Sequence, residues 1–286
     1  MTAFPDVPPG VDPTRPSPVR ICDYFLGGTH TFPVDRETAE RLRATVPDVL
    51  DAMLANRGFH GRAATWIAGR GVRQFIDIGA GLPTRNNTHD AVRKVTPDAR
   101  VVYVDDDPMV AACSGPLRSP DGTSMLITAD WRDPGAVLGD LGLRRLIDLA
   151  HPAGVLMTTL VSLVPDEEDP WGLVGRYMEA AAPGSYLALS HGTYDMIPPG
   201  MVQAGRKALA NMTERVHLRS RAEIERFFDG LELVPPYTGA DRVITYAGLW
   251  GAEDIEAADT EGSRGIYCGV ALRPDRRVPG SRDDRS

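Results

Sequence analysis

Two glycines and a later carboxylate form the most informative chemical pattern in the chain. Gly79 and Gly81 follow an apolar stretch at residues 74–78, and Asp105 follows a second one at residues 100–104. Glycines in such a turn let the backbone approach a ligand, and an acid at the tip of the next strand can accept hydrogen bonds from two ribose hydroxyls. The interval between Gly81 and Asp105 leaves room for one helix. The pattern therefore predicts a pocket for an adenosine-containing molecule.

The turn also discriminates between two classes of adenosine-containing cofactor. A dinucleotide site favours Gly-x-Gly-x-x-Gly, because its third glycine permits close helix–strand packing near the pyrophosphate. Here Pro83 and Thr84 stand at the last two positions, which disfavours an NAD-linked oxidoreductase. The pattern Asp-x-Gly-x-Gly is instead typical of sites for S-adenosylmethionine, which has no pyrophosphate. The cofactor contacts expected from this turn are Asp77, Gly79, Ala80 and Gly81.

Acidic and aromatic residues at the next strand ends fit the same pocket. Asp105 directly follows its apolar run, so we assign the ribose to it, with Asp106 as a neighbouring contact. Asp130 and Trp131 follow a third apolar stretch at residues 124–128. In S-adenosylmethionine sites an acid at this place commonly takes the adenine amino group, which we expect of Asp130. Trp131 is expected to pack on the adenine or to contact the sulfonium by a cation–π interaction.

Methyl transfer depends mainly on holding the nucleophile and the methyl carbon close and aligned. A base helps only when the acceptor is a hydroxyl or a protonated amine. His191, at the tip of the predicted fifth strand, is the expected catalytic base, because that tip faces the same rim as the cofactor loops. The alternative is a histidine that bonds only to local backbone.

The composition excludes several other functions. The formal charge of −8 argues against general affinity for nucleic acid, which needs a basic face. Three widely spaced cysteines predict neither a disulfide framework nor a metal site. No apolar run approaches the roughly 18 residues of a membrane span, and the N-terminus lacks the features of a signal peptide. We expect a cytoplasmic protein with no membrane partner, and the sequence leaves a homodimer open.

The elements that must position these residues alternate between helix and strand. This alternation predicts an α/β fold with a mostly parallel seven-stranded sheet and helices on both of its faces. A proline-rich leader at residues 1–17 is expected to be disordered, as is a polar tail at residues 273–286. Between them we expect an N-terminal helical lid at residues 18–70 and a cofactor-binding domain at residues 71–272. Strands are predicted at residues 74–78, 100–104, 124–128, 154–161, 184–190, 231–234 and 265–272.

The chain resembles bacterial S-adenosylmethionine-dependent methyltransferases that begin with an Arg-x-x-Asp-Tyr-x-Leu-Gly-Gly segment. That segment here runs from Arg20 to Gly28, and further family-like segments, among them Asn56-Arg57-x-Phe59, extend to about residue 272. The resemblance implies the Rossmann-like fold of class I methyltransferases and their cofactor. Tyr24, in the lid segment, is expected to contact the cofactor or the acceptor, and packing of its ring under the lid is the alternative. Members usually carry a histidine where this chain has Val161, a departure that bears on catalytic competence.

A looser similarity is to carboxyl methyltransferases of the leucine class, which have Gly-x-Gly-Leu-Asp-Thr-Arg at the corresponding turn. In those enzymes an arginine upstream of the first strand holds the cofactor carboxylate, and a guanidinium suits this because it presents a planar fork. Arg62 and Arg57 occupy comparable positions here. By this resemblance we expect Arg62 to bind the cofactor, with Arg57 as the alternative.

The sequence thus predicts an S-adenosylmethionine-dependent methyltransferase acting on an unidentified small-molecule acceptor. The alternative is a regulatory protein that binds S-adenosylmethionine or S-adenosylhomocysteine without catalysis.

Overall fold

The computed structural model describes residues 7–84 and 86–275 and contains one mixed sheet. The strands are β1 Gln74–Ile78, β2 Arg100–Asp105, β3 Ser124–Thr128, β4 Gly154–Thr158, β5 Tyr186–Gly192, β6 Glu232–Leu233, β7 Thr245–Tyr246 and β8 Ile266–Leu272. Along the sheet the strand order is β3-β2-β1-β4-β5-β8-β6, with β7 paired to β8. Strands β1 to β5 pair in parallel, whereas β8 is antiparallel to β5, β6 and β7.

Helices cover both faces of the sheet, as the burial of its central strands requires. All five residues of β1 are buried, so this strand needs apolar neighbours on both sides. The α-helices are α1 Pro18–Phe25, α2 Pro33–Thr45, α3 Val49–Ala68, α4 Thr88–Val92, α5 Pro108–Ala112, α6 Pro134–Gly139, α7 Leu141–Leu146, α8 Pro170–Ala180, α9 Pro199–Ala208, α10 Arg221–Glu225 and α11 Ile255–Ala258. The predicted mostly parallel α/β sheet is confirmed.

Two details of the sheet differ from the sequence prediction. An eighth, two-residue strand, Thr245–Tyr246, pairs with β8. The fourth strand ends at Thr158 rather than at Val161, because Thr159 takes a left-handed conformation with φ of 56° and a 3-10 helix spans Leu160–Leu163. This abrupt end of β4 places the following loop beside the turn after β1.

The N-terminal helices form a small apolar cluster of their own. Ile21, Phe25, Leu42 and Val49 pack together with Met212, which follows α9. The side chain of Arg20 is 3% exposed and its Nε lies 2.7 Å from Asp35 Oδ2. Because Asp35 also accepts the backbone N–H groups of Ser17 and Phe32, it ties α1 to the start of α2.

The family-like segment ends in a turn that Asp23 organises. Asp23 Oδ2 accepts the backbone N–H of His30 at 2.8 Å, and Gly27 has φ of 78°. A Cβ atom on Gly28 would collide with the Asp23 carboxylate, so glycine is needed there. Residues 1–6 of the predicted leader and 276–286 of the predicted tail lie outside the described residues. The domain boundaries stay a prediction. No helix in the described ranges has the length and apolar character of a membrane span.

Candidate functional site

A cavity of about 1130 Å³ opens at the carboxyl ends of the central strands. The turn after β1, the tip of β2 and the loops after β3, β4 and β5 form its floor, and α1, α3 and α9 form its walls. In open α/β sheets ligands bind at this edge, where the strand order reverses. Here the reversal lies between β1 and β4.

The turn after β1 depends on two glycines in the left-handed region. Gly79 has φ of 69° and Gly81 has φ of 67°, and both line the cavity together with Ala80. A Cβ atom on Gly79 would collide with the side chain of Leu160. Close packing between the β1 turn and the loop after β4 therefore requires glycine at position 79.

Asp105 is a buried carboxyl group at the tip of β2 that still lines the cavity. Its Oδ2 accepts the N–H of Gly81 at 2.9 Å, and its Oδ1 accepts the N–H of Asp107 at 2.9 Å. Burial raises the pKa of this carboxyl to about 7, against the lowering effect of these two bonds. The two backbone bonds fix the carboxyl group and leave lone pairs on both oxygens for ligand hydroxyls.

The other residues predicted after β2 and β3 fall into two groups. Asp106 and Trp131 line the cavity, and Trp131 is only 3% exposed. The guanidinium of Arg132 lies 4.1 Å from the Trp131 ring centroid. Asp130 is exposed and does not line the cavity, and its Oδ1 accepts the N–H of Arg132. The position of Asp130 outside the cavity lining therefore does not support the predicted contact between Asp130 and adenine.

Asp77 lies beneath the cavity in a buried polar cluster rather than on its wall. Its Oδ2 accepts the hydroxyl of Thr88 at 2.6 Å, and Thr88 Oγ1 is 2.7 Å from His60 Nε2. His60 Nδ1 lies 3.1 Å from Thr158 Oγ1, so both ring nitrogens have partners. Burial raises the pKa of Asp77 to about 6 and holds the pKa of His60 well below its usual value.

The two candidate arginines occupy different places. Arg62 does not line the cavity: its Nε donates to Trp250 O at 2.7 Å and its Nη2 donates to Ala247 O at 2.7 Å. The structure therefore does not place Arg62 where it was expected to bind the cofactor, because these backbone carbonyls already hold its guanidinium. Arg57 does line the cavity and donates to Thr84 Oγ1 and Asn86 O.

His191 is not placed as the sequence suggested. Its side chain is fully buried, does not line the cavity and stacks on Phe227 with ring centroids 5.6 Å apart. Nδ1 donates to Gly192 O at 2.7 Å, and Nε2 accepts from Arg219 Nη1 at 2.6 Å. Burial lowers the pKa of His191 to about 3, with the Arg219 charge adding to the effect. With both nitrogens bonded inside the core, His191 cannot take a proton from a ligand in the cavity.

Tyr24 also points away from the cavity, because its hydroxyl donates to Glu40 Oε1 at 2.8 Å. The neighbouring Asp23 lines the cavity instead.

Sequence reasoning missed a polar group that three elements bring together. Asn56 on α3, Thr159 after β4 and Ser190 on β5 form it, and the first two line the cavity. Ser190 Oγ donates to Asn56 Oδ1 at 2.6 Å, and Asn56 Nδ2 donates to Thr159 Oγ1 at 3.4 Å. Asn56 does occur in the family-like segment Asn56-Arg57-x-Phe59, which was the one signal available.

Comparison with known proteins gives a consistent result. The family model described as S-adenosyl methyltransferase matches residues 6–274. A DUF574 family protein from Streptomyces avermitilis MA-4680 is 36% identical, with 91% of this chain and 98% of that chain covered and a TM-score of 0.83. A putative methyltransferase from Thermobifida fusca YX is 33% identical, with 96% and 100% covered and a TM-score of 0.85.

A more distant structure shares the fold. The plantazolicin methyltransferase BpumL, crystallised with S-adenosylhomocysteine, is 11% identical, with 90% of this chain and 96% of that chain covered and a TM-score of 0.52. No curated protein sequence matches the chain.

Proposed function

The chain belongs to the S-adenosyl methyltransferase family, and on that premise we propose that it transfers a methyl group from S-adenosylmethionine to a small-molecule acceptor. The observation that carries the proposal is the placement of Asp105 at the tip of β2, facing the cavity. Its carboxyl group is oriented by the N–H groups of Gly81 and Asp107, as a ribose-binding acid needs to be.

The residues present fit this cofactor. Gly79 and Gly81 keep side chains out of the turn, so the ligand can lie against the backbone. Trp131 offers an aromatic wall close to Asp105 and Asp106 for the adenine. Arg57 is a cation on the part of α3 that lines the cavity and suits the cofactor carboxylate; burial lowers its pKa, and an arginine stays charged in proteins.

When bound, S-adenosylmethionine supplies a methyl carbon that its sulfonium has already activated. The chain then has to hold the acceptor in line and exclude water. His191 takes no part as a base, because its ring nitrogens bond to Gly192 O and Arg219. Orientation, rather than proton abstraction by this histidine, is the contribution that the protein makes.

The second candidate function is a regulatory protein that binds the cofactor without catalysis. Burial of the expected base His191 is the observation that favours it.

Calorimetric titration with S-adenosylmethionine and S-adenosylhomocysteine tests the proposal. We expect one saturable site for each ligand, and no heat from folded protein at high micromolar ligand would overturn it. Formation of S-adenosylhomocysteine with a panel of small-molecule acceptors separates the two functions. Tight binding with no turnover across such a panel would favour the regulatory role.

A further inference from the structure

We propose that the part of the cavity beyond the cofactor site binds a predominantly apolar acceptor that carries one uncharged hydroxyl or amine, held by Asn56 and Thr159. This inference rests on the proposed methyl transfer and adds the chemical class of the acceptor.

The size of the cavity is the first reason. Its volume of about 1130 Å³ exceeds the roughly 300–1,000 Å³ typical of sites for one small molecule. The cofactor residues Gly81, Asp105 and Trp131 lie at the β1–β3 side, whereas the cavity continues past β1 to the ends of β4 and β5. The space at β4 and β5 is therefore available for a second molecule.

The wall of this second part is apolar and adaptable. It is formed by side chains of α1, α3, α9 and the segments that flank α9, among them Phe25, Met53, Met196, Met201, Leu209 and Met212. Methionine side chains are flexible and polarizable, so a wall that contains four of them can fit apolar groups of varied shape. Burying an unpaired charge against such a wall is costly, which selects against ionic acceptors.

Several charged groups around this part of the cavity are paired or lie in solvent, and the buried Asp23 on α1 accepts the N–H of His30. Arg219 donates to Asp166 Oδ1 at 2.6 Å, and Arg132 pairs with Glu214. Glu167, Arg206 and Arg215 are exposed. None of these groups gives the apolar wall a fixed counter-charge for an ionic ligand.

The polar group at the ends of β4 and β5 is suited to holding a neutral nucleophile. Ser190 Oγ accepts the N–H of Thr159 at 3.0 Å and uses its own proton to bond Asn56 Oδ1. This arrangement sets the orientation of the amide, with Nδ2 towards Thr159 Oγ1 and the cavity. Because the Nδ2–Oγ1 distance is a long 3.4 Å, the amide can donate to a ligand, and Thr159 Oγ1 can accept from one.

Thr159 holds its place at a conformational cost. Its φ of 56° is uncommon for a β-branched residue, and its Oγ1 donates to Thr158 O at 2.8 Å. Such strain persists only where the surroundings enforce it, and it clusters at functional sites. The Thr159 N–H donates to Ser190 O at 2.9 Å and to Ser190 Oγ at 3.0 Å, and these bonds supply the enforcement here.

The reaction balances with this acceptor. A lone pair of the acceptor oxygen or nitrogen forms the new bond to the methyl carbon. The C–S bond breaks at the same time, and its bonding electron pair goes to sulfur. The proton of the acceptor leaves to water at the cavity mouth.

The test uses the full chain saturated with S-adenosylhomocysteine and two fluorescent probes of the same ring. These are 2-naphthol, which is neutral with one hydroxyl, and 2-naphthalenesulfonate, which is charged. We expect 2-naphthol to bind saturably and at least about tenfold more tightly than the sulfonate. Equal binding of the two probes, or displacement of S-adenosylhomocysteine by 2-naphthol, would overturn the proposal.

Two variants locate the probe. Asn56→Ala is expected to weaken 2-naphthol binding by roughly 3–10-fold through the loss of one hydrogen bond. Met201→Glu places a charge on the wall and is expected to abolish 2-naphthol binding. Its matched control is Gln203→Glu, which adds the same charge on an exposed position of α9 and is expected to change nothing. Thermal unfolding of each variant checks that it is folded.

The outcomes separate this inference from the proposed function. If the wild-type chain fails to bind S-adenosylhomocysteine, the proposed function fails and this inference falls with it. If it binds S-adenosylhomocysteine but not 2-naphthol, or if Met201→Glu folds and keeps full 2-naphthol affinity, only the acceptor class is overturned.

Discussion

The backbone N–H of Gly81 donates to Asp105 Oδ2 across 2.9 Å, which joins the turn after β1 to the tip of β2. The bond orients the carboxyl group that we assign to the ribose. It also restrains the glycine turn, whose conformation only glycine adopts at low cost. The two strand ends therefore form one unit, and each of them can be tested.

Gly79→Ala should damage the site more than a comparable change elsewhere. Both Gly79 and Gly122 have positive φ, at 69° and 73°, and a Cβ there costs about 1–2 kcal/mol. At Gly79 the added methyl would also collide with Leu160, whereas at Gly122 it meets open space. We expect Gly122→Ala to lose only stability and Gly79→Ala to lose cofactor affinity as well, measured by chemical unfolding and calorimetry. Equal effects on affinity would contradict this.

The buried carboxyls Asp105 and Asp77 should contribute to the stability of the ligand-free protein a component that falls as pH rises from about 4 to about 7. The buried histidines His60 and His191, whose pKa values are lowered, act in the opposite direction, so the component is measured as a difference between variants. Burial raises the pKa of Asp105 to about 7 and that of Asp77 to about 6, so these two carboxyls bind more protons in the folded state than in the unfolded state in this range. Asp105→Asn removes its own part of this component, so the stability of the wild type relative to this variant should fall with rising pH. Asp241→Asn, on the exposed surface, should show no such trend. Unfolding in denaturant across this pH range measures these differences. A wild-type stability that rises with pH relative to that of Asp105→Asn would refute the expectation.

Breaking the Arg20–Asp35 pair should destabilise the N-terminal helices strongly. The two side chains are 3% and 0% exposed, so Arg20→Met would leave Asp35 as an uncompensated buried charge, at a cost of about 3–5 kcal/mol. The control is Arg73→Met, which breaks a pair with Asp98 that is 66% exposed on both sides and should cost at most about 1 kcal/mol. Chemical unfolding measures the free energy of unfolding of both variants. Similar losses for the two would contradict the expected difference between the buried pair and the exposed pair.

His191 should remain neutral throughout the working pH range. Its pKa is lowered to about 3 by burial, and Nε2 accepts from Arg219. The NMR chemical shifts of its imidazole ring should therefore stay constant between pH 5 and pH 8. The plot of methyl-transfer rate against pH should show no step caused by the titration of this residue. An imidazole titration near pH 6.5 would restore His191 as a candidate base.

The sequence predicts the ends of β1 and β2 well because their determinants are local. Turn glycines and an acid that directly follows an apolar run fix Gly79, Gly81 and Asp105 without knowledge of the tertiary fold. The burial of His191 could not be predicted, because successive side chains of a strand point to opposite faces and position alone does not say which face meets the cavity. Its ring packs on Phe227 in the core.

For a similar reason the sequence could not show which arginine of α3 lines the cavity. Arg62 is five residues beyond Arg57, which is about 140° further around the helix, so only one of the two can face the cavity. Asn56, Arg57 and His60 form the facing side. The packing of α3 against the sheet determines which side of the helix faces the cavity. The backbone carbonyl of Trp250, which accepts from Arg62 Nε, also contributes to this orientation. The Asn56–Thr159–Ser190 group could not be predicted either, since it joins residues up to 134 positions apart.

The most direct test of the cofactor site is a crystal structure of this protein soaked with S-adenosylhomocysteine. We predict that both ribose hydroxyls will lie within hydrogen-bonding distance of the Asp105 carboxylate, with the backbone of Gly79–Gly81 against the ligand. The adenine should lie against Trp131. A ligand that binds elsewhere, or one whose ribose makes no contact with Asp105, would contradict the assignment.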